Sequence, residues 1–416
     1  MSLPVTAGLF GLQTAILSFA VGFTVSGSVI RPAGLLATLL CTYYALPYAQ
    51  GIDHSVLRAF LGSAIVYLNI LYMDVVLLHQ WTFEAKGPIS SQGGLVPDQY
   101  RVLKSHHTVN EQSRRWERIQ FGYTTSLQSR FPGTKWPVKN IPPFARSNAG
   151  YTPSKASFLY TTTIKWILCI LLIDCIDTFK TGADENAITF FSEKIPFLTR
   201  LSAVSAEELT ARVLSTFGYW AASYVVLEAV YSTLGIVAVL FGDATDIRKW
   251  PPMFGSIQDC YSLRQFWGTF WHQLIRRGCS SIAHFITYST LNLRKGGIMG
   301  RYLFIFLTFV VSGVFHFLAD IMMTIPWQES GAMYFFCIQT LGIILEDGVQ
   351  AIYQSRGKGC TTTGVPRFWV RFLGYVWVIV WLSWSTPVWT YPTMQRDDGS
   401  RILDFSLLGL VAGLWK

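Results

Sequence analysis

RYLFIFLTFVVSGVFHFLADIMM, residues 301–323, decides what kind of protein this is. It is apolar for longer than the roughly 20 residues that carry a helix across a bilayer. One histidine and one aspartate interrupt it. Thr308, Ser312, His316 and Asp320 recur every four positions, so on a helix they draw a single polar stripe. Ionisable groups at membrane depth face a bundle interior or a watered cavity. Two readings of the stripe follow. His316 and Asp320 could cement helix packing, or His316 could act as a general base with Asp320, one turn on, holding its tautomer.

The rest of the chain places this stretch in context. Of 416 residues, 51% are hydrophobic and only 14% are charged, against about 25% charged in soluble domains; the mean hydropathy is +0.35. Spans are expected near 7–27, 33–50, 57–80, 158–178, 214–241, 301–325, 330–352 and 367–391, with a marginal ninth at 403–415. A weaker apolar stretch at 281–292 reads as re-entrant or as a packed helix. The fold class is therefore all-α: a polytopic integral membrane protein with eight or nine transmembrane helices plus interfacial amphipathic helices. No repeat or linker divides it, so residues 1–416 read as one multi-span domain. MSLPVTAGLF at the start lacks a basic region, which predicts a retained first span and no cleaved signal peptide.

The net charge of +9 collects in particular loops. Segment 81–157 holds eleven Lys and Arg against four acids, and Arg356, Lys358, Arg367 and Arg371 stand without an acid in 353–371. Both read as cytoplasmic by the positive-inside rule. Residues 179–210 and 392–402, with Asp184, Glu185, Asp397 and Asp398 among their acids, read as lumenal, and so does the N-terminus. Orientation thus accounts for the basic excess, and nucleic acid is not an expected partner. The seven cysteines are scattered without a C-x-x-C pair, so neither a disulfide framework nor a metal site is expected.

Two polar segments interrupt the spans. The cytoplasmic loop 81–157 contains NEQSRRWERIQFGYTTSLQSRF (110–131), an expected interfacial amphipathic helix. Segment 242–300 contains FWGTFWHQLIRR (266–277). There Phe266, Trp267, Phe270, Trp271 and Leu274 fit one apolar stripe of an interfacial helix, with His272, Gln273 and Arg276 on the other side. On these residues alone His272 reads as solvated or hydrogen-bonded rather than reactive. Asp74 with Asn69 reads as a packing or gating pair at least as well as a substrate contact. Glu346 and Asp347, at a helix C-terminal end that disfavours acids, predict pairing with a basic loop residue. His54, His79, His106, His107 and His284 belong to no legible constellation. No P-loop, H-E-x-x-H or G-x-S-x-G motif is present.

WPPMFGSIQDCYSLRQFWGTFWHQLIRR (250–277) followed by SGVFH (312–316) resembles the membrane-bound O-acyltransferase superfamily. Its wax synthase domain branch, with the fungal terpenoid and meroterpenoid O-acetyltransferases, is the nearest in pattern. Trp250, Pro251, Phe254 and Gly255 match a W-P-x-x-F-G turn. Ser262, Leu263, Arg264, Phe266, Trp267, Gly268, Trp271, His272 and Gln273 match S-L-R-x-F-W-G-x-x-W-H-Q. The motifs cover about residues 250–350. Thr269 and Phe270 depart from the pattern, which commonly carries one or two arginines there.

The resemblance implies membrane helices around an internal tunnel and transfer of an acyl group from acyl-CoA, with acetyl-CoA first, to a hydroxyl of a lipophilic terpenoid or meroterpenoid. Acyl-CoA is then a co-substrate, and no bound cofactor is implied. His316 takes the place of the catalytic histidine and His272 that of the second polar active-site residue. Asp320, Ser312, Trp271 and Gln273 support them. Arg264, Arg276, Arg277 and Lys249 are candidates for the coenzyme's phosphates, or equally plain cytoplasmic positive charge. The endoplasmic reticulum is the implied membrane. Alternatives are a long-chain acyl-CoA:alcohol acyltransferase making wax or sterol esters, a membrane terpenoid cyclase or isomerase, and a transporter; a transporter would show repeat-related halves. The oligomeric state is not legible.

Overall fold

The structure, a computed structural model, describes residues 1–91, 94–95, 111–182, 192–242, 244–355, 368–396 and 401–413. His106, His107, Arg356, Lys358, Arg367, Asp184, Glu185, Asp397 and Asp398 lie outside the described residues. In chain order the helices are α1 (Ser2–Phe23), α2 (Ile30–Gln50), α3 (Ser55–Tyr72), α4 (Glu111–Ser126), α5 (Lys155–Gly182), α6 (Ala206–Phe241), α7 (Leu263–Gln265), α8 (Arg276–His284), α9 (Ile298–Met322), α10 (Ala332–Ser355), α11 (Phe368–Ser385), α12 (Pro387–Gln395) and α13 (Leu407–Ala412). Wider π-turns extend α3 (Met73–Leu78), α7 (Phe266–Phe270) and α8 (Phe285–Thr290). A two-residue antiparallel pair, Ser90–Ser91 with Gly94–Leu95, adds a small hairpin. The protein is an all-α, polytopic membrane protein.

Among the described residues seven helices are long and apolar enough to cross a membrane: α1, α3 with its π-turn, α5, α6, α9, α10 and α11. The expected count of eight or nine is corrected in two places. α2 is 21 residues long, but Arg31, Tyr43, Tyr44, Pro47 and Gln50 dilute its apolarity and it is not among the seven. The marginal span at 403–415 is the six-residue α13, too short to cross. The span expected at 367–391 is cut at Thr386, because Pro387 starts a new helix where its missing N–H costs nothing. The stretch 281–292 falls in α8 and its π-turn.

The chain forms two compact units, each discontinuous in sequence: residues 1–129 with 274–340, and 130–273 with 341–416. Two of the three crossings, at 273/274 and 340/341, fall within the motif and within α10, so no linker marks them.

In the first unit Arg31, 1% exposed, is a hub. Its guanidinium donates to Thr24 Oγ1 (2.9 Å) and to the carbonyls of Val76 (3.0 Å), Thr24 (3.0 Å) and Trp81 (2.8 Å). A buried cation is tolerable when its donors are all directed onto acceptors, and here they tie the end of α1 to the turn after α3. α4 lies along α1, where a Cβ at Gly122 would stand 2.2 Å from the Ser18 carbonyl oxygen, so only glycine permits the approach. Arg118 of α4 donates to the Gly22 carbonyl at 2.7 Å. Trp116, Ile119 and Tyr123 remain exposed along α4, consistent with the amphipathic helix expected at 110–131.

In the second unit α5 packs on α6. Ser205 caps α6 by accepting from the Glu208 amide at 3.1 Å. Near the far end of α5, Asp174 and Asp177, both 0% exposed, hold the C-terminal segment. Asp174 accepts from Arg401 and the Leu408 amide (2.8 Å each), and Asp177 from the amides of Ile402 and Leu403 (2.9 Å each).

Candidate active site

His316 sits in the last third of α9, half-buried. Its Nδ1 lies 2.8 Å from the Ser312 carbonyl oxygen, one turn back. Only a protonated Nδ1 makes that contact favourable, and in a neutral ring this puts the lone pair on Nε2. The ring stacks on Phe336 of α10 (centroids 4.2 Å apart, 20° between planes) and meets Phe315 edge-on at 4.9 Å. Position, tautomer and ring plane are thereby set together. Asp320, expected to hold the tautomer, accepts a 2.6 Å bond from Ser330 Oγ in the turn before α10. The carbonyl of Ser312 performs the task assigned to it. Sequence spacing pointed to Ser312 but could not show that its backbone rather than its hydroxyl is engaged.

His272 stands in a different kind of structure. Ser262 opens α7 by accepting from the Gln265 amide (3.1 Å), while Glu346 Oε2 takes the Leu263 amide at 2.6 Å. Arg264 pairs with Asp347 at 2.5 Å. The two acids lie inside α10, which runs on to Ser355, and not at its C-terminal end as expected. They serve structure, Asp347 taking a basic loop residue and Glu346 satisfying an otherwise orphaned helix-start N–H. After one turn the chain widens, the Trp271 amide bonding the Phe266 carbonyl at 2.8 Å, five residues back. Trp271 itself is extended (φ −65°, ψ 148°), so helix ends before His272.

The interfacial stripe running to Leu274 is therefore corrected. The aromatics of 266–271 are gathered by protein rather than lipid. Trp271, 8% exposed, meets Trp220 edge-on at 4.6 Å, Phe254 at 5.3 Å and the parallel ring of Phe266 at 5.8 Å. Gly255 of the W-P-x-x-F-G turn donates to the Phe270 carbonyl at 2.8 Å, and a Cβ there would be 2.2 Å from the Thr269 oxygen. Gln273, 1% exposed, ties the loop down through Nε2 to the carbonyls of Asn140 (3.0 Å) and Gly268 (3.3 Å). His272 is half-buried in this frame, its ring 5.4 Å from that of Trp271 and 6.1 Å from that of Phe254.

Residues 250–338 match the membrane bound O-acyl transferase family. Along its length the chain is 40% identical to the acetyltransferase fsoF of Humicola fuscoatra, over 96% of this chain and 99% of that protein. It is 36% identical to the acetyltransferase aurG of Calcarisporium arbuscula, over 92% of each. Acetyltransferase atnC of an Arthrinium species is 31% identical over 97% of this chain and 91% of its own. The chain belongs to the membrane-bound O-acyltransferase family. It is an acyltransferase, working on an acyl-CoA and an acceptor.

Within this family frame the candidate residues divide between the units. His316, Ser312, Asp320, Arg276 and Arg277 lie in the first, and His272, Trp271, Gln273, Arg264 and Lys249 in the second. Arg277, a phosphate candidate, has its Nε 2.7 Å from Asp74 Oδ2, and its side chain is 13% exposed. His79 Nδ1 lies 2.7 Å from the other oxygen of Asp74, which is itself wholly buried. Asp74 thus belongs to a buried ionic cluster with Arg277 and His79, in place of the expected pair with Asn69. His79 is not legible there from spacing, because the π-turn brings it back onto Asp74 five residues on. Asn69 donates to Thr42 Oγ1 at 2.7 Å. Arg276 is half-buried and Lys249 exposed. Burial pushes the Cys260 and Cys279 thiols up to about 12, far from the thiolate that a covalent acyl-enzyme needs.

Proposed function

We propose that this acyltransferase moves an acetyl group from acetyl-CoA to a hydroxyl of a lipophilic terpenoid or meroterpenoid in secondary metabolism. The acetyl donor is supported by relatives named acetyltransferases that align along nearly the whole chain. The acceptor class rests on the resemblance of 250–277 and 312–316 to the fungal terpenoid enzymes. Charge in the loops supports placing 81–157 and 353–371 on the cytoplasmic side, and residence in the endoplasmic reticulum rests on the resemblance.

One observation carries the base assignment: the 2.8 Å contact of His316 Nδ1 with the Ser312 carbonyl. With the lone pair on Nε2, His316 takes the acceptor's hydroxyl proton as the oxygen attacks the thioester carbonyl carbon. Negative charge builds on the carbonyl oxygen, and the resemblance gives His272 the hydrogen bond to it. The C–S bond then breaks, the sulfur leaves as thiolate, and the imidazolium returns the proton to it. Trp271 and Gln273 hold the His272 loop, and Arg264, Arg276 and Lys249 supply positive charge for the coenzyme's phosphates. Arg277 is withdrawn from that set by Asp74.

The test uses microsomes carrying the native chain or His316→Ala, with radiolabelled acetyl-CoA and hydroxylated terpenoids. Organic-phase label that needs the native chain and disappears with the variant is the expected result. Equal label from both, at matched protein abundance, removes His316 from the chemistry. Label from palmitoyl-CoA but not from acetyl-CoA assigns the enzyme to long-chain transfer instead.

A further inference from the structure

A cavity of about 300 Å³ opens in the second unit between α5, α6 and the turn at 250–252. Phe158, Trp250 and Tyr231 wall it, with Thr161 on its rim and Lys165 and Glu228 at its polar end. The wall is built rather than incidental. Arg130, 3% exposed, donates to the carbonyls of Pro252 (2.7 Å) and Pro251 (2.9 Å) and to Tyr231 Oη (2.5 Å). Tyr231 in turn donates to the Pro251 carbonyl at 2.8 Å. This fixes the W-P-P turn on α6. Gly235 makes room for the Trp250 ring, which a Cβ would approach to 3.3 Å.

The polar end is an ion pair inside two membrane spans: Lys165 Nζ lies 2.7 Å from Glu228 Oε1. Glu228 is 3% exposed in its side chain and Lys165 is 46% exposed. A pair with one partner exposed adds little stability, and charges at membrane depth mark binding sites by default. The pair also dictates what is bound. Its charges cancel, so it gives no net attraction to an anion such as a phosphate. Side by side it offers ammonium donors and carboxylate acceptors, and a neutral hydroxyl, one donor with acceptor lone pairs, satisfies both. The aromatic walls suit a rigid apolar body, and about 300 Å³ lies at the small end of ligand pockets, room for one compact fused-ring system.

We infer that this cavity binds a neutral, hydroxylated, polycyclic molecule of the acceptor's chemical class. That it is of the acceptor's class rests on the acyl-transfer reading; the binding does not. The measurement is equilibrium binding of tritiated drimenol, a bicyclic sesquiterpene alcohol, and of its hydrocarbon drimene to the purified full chain without acyl donor. Drimenol should bind at least tenfold tighter than drimene. Lys165→Met with Glu228→Leu removes both charges together and leaves no orphaned ion. Thr161→Trp fills the cavity and keeps both charges. Each should weaken drimenol binding at least tenfold at an unchanged melting temperature. Equal binding of alcohol and hydrocarbon, undiminished binding in both variants, or displacement of drimenol by adenosine 3′,5′-bisphosphate would each overturn the inference. Loss of label in the microsome assay while drimenol still binds selectively would count against acetyl transfer alone.

Discussion

His316 and His272 are held in opposite ways. His316 rides on a regular helix, and the previous turn of that helix sets its ring through one carbonyl. His272 follows a broken helix, and rings from Trp220, Phe254 and Phe266 fix the residue before it. One site is positioned by local backbone geometry, the other by packing among distant parts of the chain. The first should tolerate change around it and fail when the histidine itself is lost. The second should fail gradually, whenever its frame loosens.

The sharpest way to break this contrast is to compare His316→Ala with His272→Ala. Loss of the general base should cost about 10³-fold in turnover, and loss of one oxyanion donor about 10²-fold, read as acetyl transfer at matched abundance. A larger loss from His272→Ala would exchange their roles. Next in size is Trp271→Ala, which empties the aromatic frame at a cost of roughly 3–5 kcal/mol. A melting temperature in detergent well below native, with activity falling alongside, is expected; an unchanged melt would show that the frame does not depend on this ring. Arg264→Ala removes a partly exposed pair with Asp347 and should cost no more than about 1 kcal/mol, with any rise in acyl-CoA KM reporting phosphate contact separately.

The smallest effect concerns His284, which is placed by helix geometry as His316 is but outside the spans. Burial first, then Lys295 and His79, hold its pKa below the ordinary value. The folded chain therefore binds fewer protons than the unfolded chain near the ordinary histidine pKa of about 6.5. Its stability is full above that pH and falls as pH drops through it. His284→Phe should flatten part of the decline in melting temperature between pH 7.5 and 5.5, and a decline left unaltered would assign it to other groups.

What could be read from the letters follows the same division. A histidine in an apolar run is costly enough to announce itself, and so are the spans, because the bilayer imposes length and composition on each helix separately. α2 has the length of a span but not the composition of the seven, and its Arg31 serves the protein interior. The heptad-like spacing of Phe266, Trp267, Phe270 and Trp271 suggested a lipid-facing stripe. A π-turn and an extended Trp271 are set by rings from α6 and the 250–255 turn, and no local pattern carries that information. Ser312 was legible as a position but not as a carbonyl. The Lys165–Glu228 pair was invisible, since two single charges in separate spans do not declare that they meet.

The clamp of Asp174 and Asp177 on residues 401–408 has a consequence for biogenesis. α5 enters the membrane long before its partners are translated, so for most of synthesis two carboxylates near one end of an apolar helix have no Arg401 and no amides of 402, 403 and 408 to receive them. They remain a hydrophilic blemish that quality control can recognise until residues 401–408 arrive. A chain interrupted anywhere before residue 401 would keep that blemish, so this distant segment is the one that certifies the fifth helix as finished.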